Sequence, residues 1–111
     1  MTYDEWKKAR NITGADIRRL DEGDWDVEVK TIRDVEIALL YGREFEVSYG
    51  KYTALVTIFG SCFCVFSTYH GKREKYFEFE TDDLDQFAQN ATVGPHFIKD
   101  VVGKWVITWH V

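Results

Sequence analysis

The chain has little cysteine, no long apolar run, no excess of basic residues and none of the glycine-rich or nucleophile motifs that mark common enzymes. Each absence excludes something. With only Cys62 and Cys64, one residue apart on a strand pattern and pointing the same way, a mutual disulfide is geometrically poor, and two buried free thiols are the expected state. The N-terminal MTYDEWKKAR lacks the apolar centre of a signal peptide and no run approaches a membrane span, so a cytosolic protein without membrane contact is expected. Formal charge is −5, which disfavours direct nucleic-acid binding. There is no Walker loop, GxGxxG, HExxH, GxSxG or CxxC pair. No catalytic residue and no cofactor is assigned from the sequence.

What is abundant is aromatic surface: eight Phe, six Tyr and four Trp in 111 residues. That is enough apolar area, at roughly 25 cal/mol per Å² buried, for one domain over residues 1–111 without metal or disulfide staples. The stretch from Tyr49 to Thr81 organises it. Runs rich in β-branched and aromatic residues are broken at Gly60-Ser61 and at His70 to Arg73, the pattern of a β-meander spanning residues 43–80. A two-residue loop at Gly60-Ser61 sets Phe59 opposite Cys62, Thr57 opposite Cys64 and Leu55 opposite Phe66 on one face. Ile58 with Phe63, Val56 with Val65 and Tyr52 with Tyr69 then occupy the other. Any even-length turn at His70 to Arg73 adds Phe77 and Phe79 to the first face, which makes that face the expected core, with the thiols packed against Phe66, Phe77 and Phe79. The second face is also mostly apolar in its central strands, so a helix of this chain, a second copy or a partner must cover it.

Around the meander, Thr2 and Glu5 have capping-box spacing ahead of a short helix to about Arg10, and Thr13 with Asp16 repeats the pattern before an Ile17/Leu20 stripe that ends at Gly23. Two such helices echo half of a helix-turn-helix, with Arg18 and Arg19 as its basic residues; the plainer reading is a helical hairpin closing one face of the sheet. Trp25, Val27 and Val29 alternate with Asp26, Glu28 and Lys30 as a strand. Thr31 to Tyr41 fits a helix better than a strand, Arg43 to Tyr49 reads as a strand, Asp82 to Asn90 as a helix, Pro95 to Gly103 as a second short helix, and Lys104 to Val111 as a closing strand. A two-residue Gly50-Lys51 turn puts Phe45 and Val47 on the second face; a bulged three-residue turn puts them on the first. The expected architecture is therefore α+β: a central antiparallel sheet of five or six strands, short N-terminal helices, and one or two helices before a C-terminal strand.

Charge is banded: residues 51–75 carry four basic and one acidic side chain, whereas residues 76–90 carry five carboxylates and no base. Meander topology gathers Lys51, His70, Lys72 and Arg73 at one end of the sheet with Tyr49, Tyr52 and Tyr69, a basic, tyrosine-ringed patch suited to a macromolecular partner; the plain alternative is ordinary solubilising lysines at hairpin tips. Glu78, Glu80, Asp82, Asp83 and Asp85 form an acidic patch, with Glu22, Asp24, Asp26 and Glu28 as candidate neighbours. Its carboxylates suit a partner's basic surface, and a string of them can imitate a phosphate backbone. Cys62-x-Cys64 with His70, His96 or His110 lacks the spacing of a structural zinc site, and no metal is assigned. The expected function is non-catalytic binding of a protein partner, as a small inhibitor or accessory protein, with a homodimer as another means of covering the sheet. Two alternatives are an acidic mimic that blocks a nuclease or other DNA-binding protein, and a small-molecule-binding domain or enzyme with its pocket between sheet and helices.

Overall fold

The computed structural model describes every residue except Gly71, and every side chain outside residues 71–75. Helix α1 (Tyr3–Ala9) begins in a capping box, with the Glu5 amide donating to Thr2 Oγ1 and the Thr2 amide donating to Glu5 Oε1, both at 3.2 Å. Helix α2 (Gly14–Glu22) starts with the Thr13 amide donating to Asp16 Oδ2 at 2.9 Å.

The expected strand at Trp25 to Lys30 is instead a single helical turn, α3 (Trp25–Glu28). Asp24 caps it, accepting from the Asp26 amide at 3.0 Å. Trp25 and Val29 stand four residues apart, which is one helical face as well as one strand face, and both are buried. Val27, on the inward face had this been a strand, is 63% exposed.

Helix α4 (Ile32–Leu40) is the centre of the helical layer, with a Thr31/Asp34 capping box and every residue from Asp34 to Leu40 buried. Two of those residues are carboxylates, and each is bound to an arginine. Arg19 reaches Asp34 and Glu28 at 2.6 Å each, and Arg10 joins Glu36 at 3.0 Å and Asp85 at 2.6 Å. Burial alone would raise the Asp34 carboxyl, but the Lys30 amide, the Thr31 hydroxyl and amide, and Arg19 outweigh it and hold it below the usual range. At Glu36 burial wins over Arg10, and its carboxyl is pushed up. Arg19 is thereby committed to the helical layer, and α1 and α2 each pack on α4 instead of forming the expected hairpin with one another.

Strands β1 (Phe45–Tyr49), β2 (Tyr52–Phe59), β3 (Cys62–Tyr69) and β4 (Lys72–Thr81) form the meander, and the last strand, β7 (Val106–His110), joins beside β1 to give an antiparallel sheet in the order β4-β3-β2-β1-β7. Between them lie helix α5 (Leu84–Asn90), a two-strand hairpin of β5 (Thr92–Val93) and β6 (His96–Phe97), and a helical turn α6 (Ile98–Val101). The helix expected from Pro95 to Gly103 is thus shorter and starts later. Gly94 at φ +57° and Pro95 form the hairpin turn instead.

The loops at Gly50-Lys51 and Gly60-Ser61 are two-residue turns, with Tyr49 opposite Tyr52 and Phe59 opposite Cys62. Both first positions, Gly50 and Gly60, have positive φ. Phe45 therefore falls opposite Val56, and Val47 opposite Ala54.

The assignment of the core face is reversed from the sequence expectation. Tyr69 stands opposite Lys72 as a tight turn requires, but its neighbour Thr68 stands opposite Tyr76, so an irregularity displaces β4 by an odd number of residues. An odd slip exchanges the faces of a strand. Phe79 lies opposite Val65 and Phe77 opposite Ser67, on the side of Phe63, while Glu78 and Glu80 lie opposite Phe66 and Cys64.

The helical layer packs on the Phe63 side. Tyr3 of α1 lies 6.0 Å from the Phe63 ring, Phe87 of α5 lies 6.1 Å from Phe63 and 6.3 Å from Phe79, and Trp25 of α3 lies 5.5 Å from Phe45. Phe45, Phe63 and Phe87 are fully buried, and each such side chain contributes roughly 1.5–3 kcal/mol through burial. Thus, of the three covers considered for the second face, it is this chain's own helices that shelter it.

Candidate partner-binding face

The opposite face of the sheet is the open one, and alternation along the strands decides what it carries. Leu55, Thr57 and Phe59 of β2, Cys62, Cys64 and Phe66 of β3, and Tyr76, Glu78 and Glu80 of β4 point to it. From the other side, Glu46 lies opposite both Leu55 and Trp109, and Val106 lies opposite Ser48, so Trp109 and Val106 extend the same face onto β7. Phe59 is 78% exposed, Tyr76 52% and Trp109 47%; Leu55, Cys62 and Phe66 are half-buried. Apolar residues thus cover the open face of β2 and β3 and reach Tyr76 on β4, with Val106 and Trp109 on β7 set apart from them by Glu46 and Ser48 of β1; an antiparallel sheet usually shows water a polar face.

Carboxylates flank this apolar surface. Thr57 donates its hydroxyl to Glu44 at 2.7 Å and Thr108 donates to Glu46 at 2.7 Å, fixing two of them beside β1. On β4, Glu78 and Glu80 are exposed and pair with no cation among the described residues. They and the β2–β3 hairpin enclose a groove of about 340 Å³, lined by Phe59, Cys62, Cys64, Phe66, Glu78 and Glu80.

Both cysteines are free, but they differ. Cys64 is buried, and burial, with help from nearby Glu80 and Cys62, pushes its thiol up; Cys62 is half-buried in the groove wall. Neither packs against Phe77 or Phe79, which lie on the other face.

The basic, aromatic end of the sheet is only partly assembled as the sequence suggests. Tyr52 and Tyr69 stack edge to face at 5.3 Å, and Tyr52 also meets Phe77 and His96 at 5.9 Å each, while Tyr49 meets His96 at 5.2 Å. These tyrosines lie on the helix side under the β5–β6 hairpin, where the bare Cα of Gly94 packs against the Tyr52 ring. Lys51 and His70 do meet at this end of the sheet: the His70 amide donates to the Lys51 carbonyl at 2.7 Å, and the His70 ring bonds the hydroxyl of Thr53, which points to the other face. The side chains of Lys72 and Arg73 lie outside the described residues.

The acidic patch is divided. Glu78 and Glu80 stand on the open face, whereas Asp83 caps α5 by accepting from the Gln86 amide at 3.1 Å, and Asp85 is tied to Arg10. Asp82 is exposed at the start of that turn. Of the candidate neighbours, Asp24 caps α3, Asp26 accepts from the Ile107 amide at 2.7 Å, and Glu28 pairs with Arg19.

The histidines are likewise dispersed. His110 stacks on Trp25 at 4.4 Å and His96 packs on tyrosines, both on the helix side, and His70 follows the far end of β3 from Cys62. Among the described residues, no three His, Cys, Asp or Glu side chains stand together as a metal site would require. A second groove, about 390 Å³, lies along α1 between Asp4, Glu5, Lys7, Lys8 and Ile12 rather than between sheet and helices.

Sequence reasoning did not single out Leu55, Phe59, Cys62 and Phe66 as surface. The signal was in β4, where Phe77 and Phe79 alternate with Glu78 and Glu80: whichever face receives the phenylalanines is the core, and the turn length alone could not say which. Comparison with protein-family models, with curated proteins and with solved structures returns no match.

Proposed function

We propose that this chain is a non-catalytic binding protein that engages a protein partner through the open face of its sheet, as an inhibitor or accessory protein. The observation that carries this is the apolar centre formed on β2 and β3 by Leu55, Phe59 and Phe66, with Phe59 78% exposed, lying between Glu44 and Glu46 on one side and Glu78 and Glu80 on the other. Solvation alone gives no reason for such a surface, and exposed aromatic residues of this kind form the centres of interfaces.

Charge selects the partner. Four carboxylates around an apolar centre complement a surface that is apolar in the middle and basic at its rim. A second copy of this chain would bring glutamates against glutamates, and like charges about 4 Å apart cost about 1 kcal/mol in water and about 4 at an effective dielectric of 20.

The phosphate-mimic reading draws less support, because Asp83, Asp85, Asp24, Asp26 and Glu28 are each held by a bond within the helical layer or the sheet edge. The direct test uses protein-partner retention from native extract by the wild-type chain and by Leu55→Asp and Phe66→Asp variants, with Arg18→Glu on α2 as the control. Loss of one specific retained protein by both face variants, but not the control, supports the reading. Retention of that protein by all of them overturns it.

A further inference from the structure

We infer that the groove on the open sheet face is a socket for an arginine side chain of the protein partner. The inference rests on the partner-binding reading and names the chemistry that reading leaves open.

The groove has a greasy floor and a charged wall. Cross-strand pairing sets Glu78 beside Phe66 and Glu80 beside Cys64, so each carboxylate is flanked by an apolar neighbour across the ladder. The two glutamates alternate on one strand face, which spaces them about 7 Å apart along β4 at roughly 3.3 Å per residue. A guanidinium seated between them presents donors on both edges, one towards each carboxylate. Phe59 and Phe66 line the same groove and supply aromatic surface for its plane and apolar surface for the methylene stem. At about 340 Å³ the space accommodates a long side chain.

Other occupants fit less well. An apolar side chain leaves the carboxylates without a counter-charge, and a carboxylate or phosphate is repelled. A lysine supplies charge but not the planar fork that reaches two acceptors while stacking on a ring. No described side chain of this molecule fills the role: Arg10, Arg19 and Arg43 are all bound within the helical layer, to Glu36 and Asp85, to Glu28 and Asp34, and to Asp21.

The test is a titration of the ¹⁵N-labelled chain with capped Gly-Arg-Gly and with its citrulline counterpart, which keeps the shape and loses the charge. The expected result is amide shifts concentrated at Phe59, Cys62, Cys64, Phe66, Glu78 and Glu80. Citrulline should bind on the order of tenfold more weakly, and a Glu78→Gln/Glu80→Gln variant with an otherwise unchanged spectrum should lose a similar factor for arginine. Equal binding of the two peptides, shifts scattered elsewhere, or an unaffected double variant would overturn the socket. Sedimentation of the free chain as a dimer that dissociates in the double variant would overturn the choice of partner, since the occupant would then be a second copy. The two readings fail separately. If Leu55→Asp abolishes partner retention while the arginine peptide is ignored, only the socket is wrong. If partner retention survives both face variants, partner docking at this face is wrong and with it the source of the arginine.

Discussion

Phe63 and Phe66 sit three residues apart on one strand and face opposite ways, so truncating each in turn measures which side of the sheet is the core. Phe63 is 1% exposed and lies between the rings of Tyr3 and Phe87. Replacing it with Ala removes a fully buried ring and leaves a cavity that the surrounding helices fill only in part, a loss of about 3–5 kcal/mol. Phe66 is half-buried on the open face, and only part of its ring is withdrawn from water on folding, so Phe66→Ala costs about 1 kcal/mol. Set against a total stability of about 5–15 kcal/mol, the first is severe and the second mild. In melting temperature the contrast is at least about 12 °C against about 4 °C, at roughly 4 °C per kcal/mol for a domain of this size. Urea unfolding followed by tryptophan fluorescence gives both free energies, and Phe63→Leu, which keeps most of the volume and costs about 1.5 kcal/mol or less, covers the case in which Phe63→Ala does not fold. If Phe66→Ala proves as costly as Phe63→Ala, the helices shelter the other face and the binding surface described here does not exist.

Four further outcomes follow from particular contacts. Asp26→Ala removes the acceptor for the Ile107 amide on the outer edge of β7; it should cost about 1 kcal/mol and speed hydrogen exchange at Ile107 more than at Val47. Gly94→Ala places a methyl 2.5 Å from the Tyr52 ring at a backbone φ of +57°; it should cost about 1–3 kcal/mol, and less in a Tyr52→Ala background, where the clash is gone and only the backbone strain remains. The Asp34 carboxyl titrates below its unfolded value, so the stability it confers is present above that unfolded value and is lost as pH falls through the lower folded one; Asp34→Asn should flatten the acid limb of a stability profile. Glu36 has the opposite sign, its contribution being full below the unfolded value and lost as pH rises through the raised folded one, and Glu36→Gln should remove that decline.

Much of the fold is legible in the residues because local chemistry and burial agree there. The capping pairs at Thr2/Glu5, Thr13/Asp16 and Thr31/Asp34 each start a helix where the spacing says, and Gly60 closes a tight turn whose register follows, whereas Gly50 allows two turn lengths and only the structure selects the two-residue one. The strand read at Trp25 to Lys30 is wrong for a physical reason: Trp25 and Val29, four residues apart, share a face in a helical turn as well as in a strand, and the Asp24 cap with the exposed Val27 goes with the helix. The site was less legible than the fold. The odd slip between Thr68 and Tyr69 turns β4 over and moves two phenylalanines from one face to the other, and nothing local to the turn announces it. The prediction of surplus apolar surface rested on two greasy faces and one chain; the structure keeps that surplus but puts it on the face of Leu55, Phe59 and Phe66. The grouped carboxylates were misleading in a similar way, since nearness along the chain does not distinguish a helix cap such as Asp83 from an exposed strand side chain such as Glu78.

Cys62 offers the most direct measurement of partner docking, because its half-buried side chain lines the groove at the β2–β3 hairpin end of the proposed contact surface, while Cys64 is buried. Pulsed alkylation followed by mass spectrometry should label Cys62 well before Cys64 in the free chain and should slow at Cys62 by at least about tenfold when the retained partner is bound. An unchanged Cys62 rate in a saturated complex would contradict docking at this face.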